Sequence, residues 1–406
     1  MLLNSVTLKN ILSFKDAQLP LQPLNVFVGP NASGKSNLIE AISLLQALPR
    51  DLSAVIRAGG GVREWLWKGD SQRGEPAHVE CVLEPVSSGQ RRYLRPREKR
   101  PVRYVLRFQD VQQNVHLIEE RLETVEALGG QAEPYYFARV ESGSGWLNVA
   151  TPGGHPAQRG GKKRELQRGE AGASGSIFAA FRDQVQFPEI THYAKEFDRI
   201  RLYREWNLGR RGAPRLPQAT DLPNDFLDEN AQNLPLVLNR MESDGSLARL
   251  EEYLGRFCER FGRVAVKIEG GTVQLGIREK GFSHLIPAMR LSDGTLRFLS
   301  LLSVLCNPSP PQLVCIEEPE LGLHPDAVRL IAEALIEASG RMQLIVTTHS
   351  EDLVDALQPD AIVVCEFEEH NGTRFRRLNR DELEEWLKDY TLGELWRKGE
   401  VGGRRW

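Results

Sequence analysis

The sequence predicts an α/β protein in which two α/β lobes are separated by an antiparallel β arm and an inserted, mainly helical domain. Three observations carry this reading. Leu24–Val28 is a short apolar run, a glycine-rich turn follows, and Leu38, Ile39, Ile42 and Leu45 then recur at helical spacing, giving strand, loop and helix in succession. His78–Leu83, Arg103–Phe108, Val115–Leu122, Tyr135–Val140 and Trp146–Val149 are short, partly alternating runs divided by turn residues, as in an antiparallel meander. From Leu291 onward helix and strand patterns alternate again: Leu296–Cys306 and Ala327–Ser339 read as helices, and Leu313–Ile316, Gln343–Thr347 and Ala361–Glu366 as buried strands.

These patterns divide the chain into residues 1–87 (first lobe), 88–176 (β arm and a basic loop), 177–262 (helical insert) and 263–406 (second lobe with a C-terminal tail). Residues 151–176 are rich in Gly, Ser, Pro and charge with almost nothing to bury, and read as a flexible loop. The insert breaks at the Pro-rich stretch Pro214–Pro223, and Leu247–Phe261 is its clearest helix. A hairpin follows: Val264, Val266 and Ile268 alternate, Gly270-Gly271 turns, and Val273, Leu275 and Ile277 alternate back.

Composition narrows the function classes. Of 406 residues, 41% are hydrophobic and 26% charged, and the formal net charge is −3, so no global positive field draws the chain to nucleic acid or an anionic membrane. No apolar run approaches the ~18–20 residues of a membrane span, and the N-terminus lacks the layout of a signal peptide. The five cysteines form no C-x-x-C and read as buried thiols of a reducing compartment, so a cytoplasmic location is expected.

Four motifs carry chemistry. Gly29-Pro30-Asn31-Ala32-Ser33-Gly34-Lys35-Ser36, followed by Asn37, matches G-x-x-x-x-G-K-[ST] between a strand and a helix. Its glycines let backbone N–H groups converge on phosphate oxygens at a helix N-terminus, with Lys35 reaching the β/γ-phosphates and Ser36 ligating Mg²⁺. Leu313–Glu320 is an apolar run ending in acids; Glu317 would hold Mg²⁺ through its water shell and Glu318 would orient the attacking water. The metal-side acid is Glu where most P-loop proteins carry Asp, and a small shift accommodates its extra length. In Leu291–Arg297, Ser292 can cap a helix and Gly294 admits an anion closely. Thr347–Ser350 ends a strand, and parallel strands bring their C-terminal ends to one edge, so His349 falls near the γ-phosphate or the attacking water.

Taken in this order, the P-loop, L-S-x-G-x-x-R, E-E-P-E and T-H-S resemble an ABC-type ATPase head. The spellings G-P-N-x-S-G-K-S-N-L, E-E-P-E-x-G-L-H-P and T-T-H-S are similar to the RecF/SMC/OLD-like branch, and most of all to stand-alone bacterial AAA family ATPases related to OLD nucleases. The resemblance covers residues 1–85 and 263–366, and more loosely Arg201–Arg204 and Asn233–Asn239. It implies heads paired head-to-tail around Mg·ATP, with Ser292 and Gly294 on the partner's nucleotide, Glu318 as catalytic base, His349 as switch histidine, and His324 and Asp326 in a loop crossing the dimer interface. It also implies a glutamine lever, for which Gln46 and Gln72 are the candidates. Slow hydrolysis of ATP would then reset a conformational switch acting on a separate effector protein or on DNA, in anti-phage defence or DNA repair. The long coiled coil of the SMC branch and the Toprim nuclease of OLD proteins have no counterpart in this sequence: residues 88–285 hold no sustained heptads, and the residues after Ser350 hold no D-x-D.

Other readings stand beside this one. A non-catalytic, nucleotide-dependent scaffold predicts unchanged turnover in Glu318→Gln. A transporter motor predicts a docking groove after the P-loop helix, where a long insert sits instead. A RecF-like binder of DNA or RNA draws on the basic segment Arg91–Arg107, which has eight Lys/Arg and one acid, and predicts contacts from Arg95, Lys99 and Arg100.

Overall fold

The computed structural model describes residues 2–69, 75–85, 101–125, 135–140, 144–149, 162–166, 170 and 175–403. Arg95, Lys99, Arg100 and Gln72 lie outside the described residues, as does most of 151–176.

In chain order the strands are β1 (Leu3–Ile11), β2 (Phe14–Pro20), β3 (Leu24–Val28), β4 (Ala77–Leu83), β5 (Val102–Val111), β6 (Asn114–Thr124), β7 (Tyr135–Val140), β8 (Gly145–Val149), β9 (Lys162–Leu166), β10 (Arg201–Tyr203), β11 (Gln218–Ala219), β12 (Phe261–Glu269), β13 (Thr272–Glu279), β14 (Leu285–Pro287), β15 (Leu313–Glu317), β16 (Gln343–Thr347), β17 (Ile362–Glu368) and β18 (Gly372–Arg377). The α-helices are α1 (Lys35–Ala47), α2 (Leu52–Ala58), α3 (Val62–Trp65), α4 (Ile177–Ala180), α5 (Pro188–Asp198), α6 (Leu234–Ser243), α7 (Leu247–Phe257), α8 (Asp293–Leu305), α9 (Pro325–Ser339), α10 (Glu351–Asp355), α11 (Arg380–Leu383) and α12 (Leu392–Lys398). No helix among the described residues is long and apolar enough to cross a membrane.

The chain forms two compact units. The first comprises Met1–Gln22, Pro30–Ile200 and Cys365–Arg376, and the second Pro23–Gly29, Arg201–Val364 and Arg377–Trp406. The first unit is an antiparallel sheet in the order β18-β2-β1-β4-β5-β6-β7-β8-β9. Its strands alternate as a one-sided sheet must: Ala77, Val79, Cys81 and Leu83 of β4 are buried while the residues between them are half-exposed. Under the sheet, Tyr104, Phe137, Phe178 and Phe197 pack ring against ring at 5.3–5.8 Å between centroids.

The second unit contains a five-stranded parallel sheet, β10-β15-β16-β3-β17. β3, β15 and β16 read as continuous apolar runs because such a sheet is covered on both faces. α8 and α9 contribute Leu296, Leu299, Leu302, Ile331 and Leu335 to that core. The β12–β13 hairpin turns at Gly270 and Gly271, both at positive φ, and pairs with β11 and β14.

Two local expectations change. Lys162–Leu166, inside the stretch read as a loop, is a strand paired antiparallel with β8. Its Lys-Lys-Arg-Glu-Leu sequence offers little to bury, and the backbone ladder holds it at the sheet edge, where charged side chains are at home. The helix read over Leu247–Phe261 ends at Phe257; Cys258 turns extended (φ −149°) and Phe261 opens β12.

A candidate nucleotide site and its acids

The glycine loop leaves β3, whose Val26, Phe27 and Val28 are buried, and runs into α1. Gly34 is the N-cap of α1 at φ +98°, and a Cβ there would lie 2.1 Å from Thr373 Oγ1 and 2.7 Å from Ser13 Oγ. The Thr373 hydroxyl donates to the Ser33 carbonyl at 2.9 Å and lies 2.8 Å from Ser13 Oγ, so Thr373 braces the turn from outside. Asn31, Ala32 and Ser36 are exposed, and Pro30 and Asn37 are half-buried. Ala32 holds φ +62°, a conformation that costs a side chain roughly 1–2 kcal/mol. Lys35 is buried and its ammonium donates to the Pro30 carbonyl at 2.8 Å, which keeps the charge over the loop.

A phosphate fits this turn. α1 has no side-chain N-cap and no acid in its first turn, and the positive end of such a helix suits an anion. Ser36 follows directly on Lys35. A hydroxyl there with one carboxylate and the phosphates themselves is the donor set that suits Mg²⁺, which keeps most of its waters.

In the second unit the carboxyl ends of the parallel strands gather the remaining motifs. Register places Glu317 beside Thr347, and Thr347 beside Phe27, one strand over. Thr348 N–H donates to the Phe27 carbonyl at 3.1 Å. Glu318 is at φ +45°; its N–H donates to the Thr347 carbonyl at 2.9 Å, and its own carbonyl accepts from Arg297 Nη2 at 3.0 Å. His349 Nε2 stands 3.7 Å from Glu318 Oε1. Both side chains are about a third exposed, so water reaches them. Behind them Glu320 Oε1 accepts from the Thr348 hydroxyl at 2.7 Å and from His349 N–H at 2.8 Å. Burial pushes the Glu320 carboxyl above its usual range, and these two donors pull the other way.

Ser292 caps α8, accepting the Thr295 N–H at 3.0 Å, and its hydroxyl lies 2.8 Å from Thr295 Oγ1. Gly294 admits the Gly322 carbonyl: a Cβ there would meet that oxygen at 3.0 Å. His324 caps α9 through Nδ1, 3.3 Å from Asp326 N–H, and both side chains are exposed. Gln46 sits in the last turn of α1 and donates to the Ile200 carbonyl at 2.8 Å.

The structure adds residues that the motifs did not single out. Arg204 follows β10 and its Nε lies 3.7 Å from Glu317 Oε1. Arg297 is stacked over Trp206, 5.4 Å from the ring centroid. Burial lowers the Arg297 pKa, while Glu320 and Glu318 oppose that. Arg297 and Glu320 stand inside the quoted motifs, so their spelling carried a signal. Arg204 belongs to the Arg201–Arg204 stretch that the resemblance covers loosely, whereas Thr373 acts through tertiary contacts that no local pattern announces.

Comparison with known proteins fits this geometry. Residues 161–355 match a family described as "AAA domain, putative AbiEii toxin, Type IV TA system", and residues 1–56 match "AAA ATPase domain". The chain is 22% identical over 418 residues to the Old nuclease of Escherichia phage P2, covering 95% of this chain and 62% of that protein. It is 22% identical over 144 residues to an ATP/GTP phosphatase of Helicobacter pylori, covering 34% of this chain and 38% of that protein. Among solved structures, an Smc head with an extended coiled coil bound to the C-terminal domain of ScpA, from Pyrococcus furiosus, superposes with a TM-score of 0.56 at 14% identity, over 95% of this chain and 98% of that one. An Smc head bound to the C-winged helix domain of ScpA gives 0.54 at 14% identity, over 94% and 99%. Matched families, fold and relatives together support an ABC-type P-loop ATPase of the OLD/SMC-like branch.

Proposed function

We propose that the chain binds Mg·ATP, pairs with a second copy around it, and hydrolyses ATP slowly to ADP and phosphate as a switch for a partner. The observation that carries this is Glu318: a glutamate held at positive φ at the end of a parallel strand, with His349 3.7 Å from its carboxylate. Backbone strain of this kind persists where the surroundings over-determine it, and it clusters at functional sites.

In this reading Gly29–Asn37 wraps the phosphates, with Lys35 balancing β/γ charge. Ser36 and Glu317 hold Mg²⁺, which supplies Lewis-acid charge at the phosphoryl oxygens. Glu318 accepts a proton from the attacking water, whose oxygen bonds to the γ-phosphorus as the bond to the ADP oxygen breaks. His349 positions that water or the γ-phosphate. Ser292 and Gly294 complete the partner's site across the dimer. The likeness to Smc heads bound to ScpA, and to a phage nuclease, supports a separate effector protein or DNA as the target; a place in antiviral defence or DNA repair rests on the motif resemblance.

The test is Glu318→Gln. Loss of a general base typically costs about 10²–10⁴ in rate, so phosphate release should fall by that order while ATP binding persists. Light scattering should then give a doubled mass only with Mg·ATP. Unchanged phosphate release would remove Glu318 as the base and leave a nucleotide-dependent scaffold.

A further inference from the structure

The loop that follows β10 touches two motifs of its own chain. Arg204 faces Glu317, and Trp206 carries the Arg297 guanidinium of α8. Its far end, Arg215, is buried, with 3% of its side chain exposed. Arg215 Nε donates to the carbonyls of Leu208 (2.8 Å) and Gly209 (3.1 Å). Nη1 donates to the carbonyls of Ala288 (2.9 Å) and Leu291 (2.7 Å), and Nη2 to the Asp293 carboxylate. The guanidinium therefore closes its own loop and holds the turn on both sides of Ser292. The loop itself is tight: a Cβ on Gly212 would lie 2.1 Å from the Asn207 carbonyl oxygen.

We propose that Arg215 is the positioning residue of the signature turn, fixing Leu291–Asp293 so that Ser292 and Gly294 meet the partner's nucleotide. The inference rests on the reading of Ser292 and Gly294 as acting across the dimer. A planar fork with five donors can hold two carbonyls and a carboxylate at fixed angles, whereas a lysine offers one rotating ammonium. Because Arg204, Trp206 and Arg215 belong to one short loop, the position of the Glu317 carboxylate and the pose of the signature turn are mechanically joined.

The experiment uses the full chain carrying Glu318→Gln, with Arg215→Lys, Asp293→Asn, both together, and Ser292→Arg as reference. Affinity for fluorescent mant-ATP is measured on dilute protein, and the ATP-dependent dimer constant by light scattering. Arg215→Lys should leave mant-ATP affinity within about twofold and weaken the dimer at least tenfold, as a small misplacement of a positioned group does. Asp293→Asn should weaken it less, and the double variant no further than Arg215→Lys, because the two changes remove one contact. A purely structural role would lower mant-ATP affinity, dimer strength and melting temperature together, and that result overturns the proposal. So does a folded Arg215→Lys that dimerises as its parent. Should Arg215→Lys fail to fold, Asp293→Asn decides alone, since its side chain is 69% exposed: an unaltered dimer constant overturns the proposal. If Ser292→Arg also leaves the dimer intact, the signature reading itself has failed, which is a different result.

Discussion

α1 and α8 are helices of the same length, 13 residues, each opening at a glycine-bearing motif, and they begin in opposite ways. α1 starts from Gly34 in the left-handed region, with no side-chain cap and no acid in its first turn. α8 starts from Ser292, whose oxygen already takes the Thr295 N–H, and Asp293 sets a negative charge on its first turn. The first helix has no side-chain acceptor at its start, and Thr373 holds its turn. The second provides an acceptor for one of its own donors, the Thr295 N–H. The glycine loop is braced from outside itself, by Thr373, while the turn at Ser292 has a cap of its own and is held by Arg215 as well.

The sharpest way to break this contrast is Gly34→Ala. The left-handed backbone costs roughly 1–2 kcal/mol, and the added methyl meets Thr373 Oγ1 and Ser13 Oγ within 3 Å. Nucleotide affinity by mant-ATP titration should fall more than about tenfold, and the melting temperature should fall as well. Next in size is Ser292→Ala, which removes a cap worth about 1 kcal/mol. Its melting temperature should drop while mant-ATP affinity stays put; a loss of affinity instead would mean that the two helix starts are coupled.

A strand end, Thr347–Ser350, is closed in yet another manner, by the Glu320 carboxylate, and gives the smallest effect. Its folded pKa is raised by burial, so the folded chain binds the extra proton and stability declines as pH rises from the unfolded value near 4.5 through the folded one. Glu320→Gln keeps an acceptor for Thr348 and His349, and its unfolding free energy should be flatter across that window. An identical slope in urea titrations of both proteins would show that the carboxyl does not titrate there.

The two helix starts also show what a sequence can disclose. Gly34, Lys35 and Ser36 are fixed by one another within a single turn, as are Glu317 and Glu318 at a strand end, so spelling alone placed them. The parallel order of the second unit follows from apolar runs that need both faces covered. Thr373 lies more than three hundred residues from Ser33, and Arg215 more than seventy from Asp293, and nothing local marks either as special. Strand β9 escaped because its cohesion is in backbone hydrogen bonds, to which composition is blind. The lever glutamine stayed undecided for a related reason: Gln46 earns its contact with Ile200 only through folding.

The left-handed backbone at Glu318 bears on how this protein could be improved or drift. Glycine or asparagine would adopt that conformation at lower cost, so the role proposed for Glu318 sets thermal stability against turnover at this position. A selection for heat resistance alone, blind to phosphate release, should enrich Glu318→Gly and Glu318→Asn. On that proposal, it would deliver a sturdier chain that binds ATP and no longer hydrolyses it.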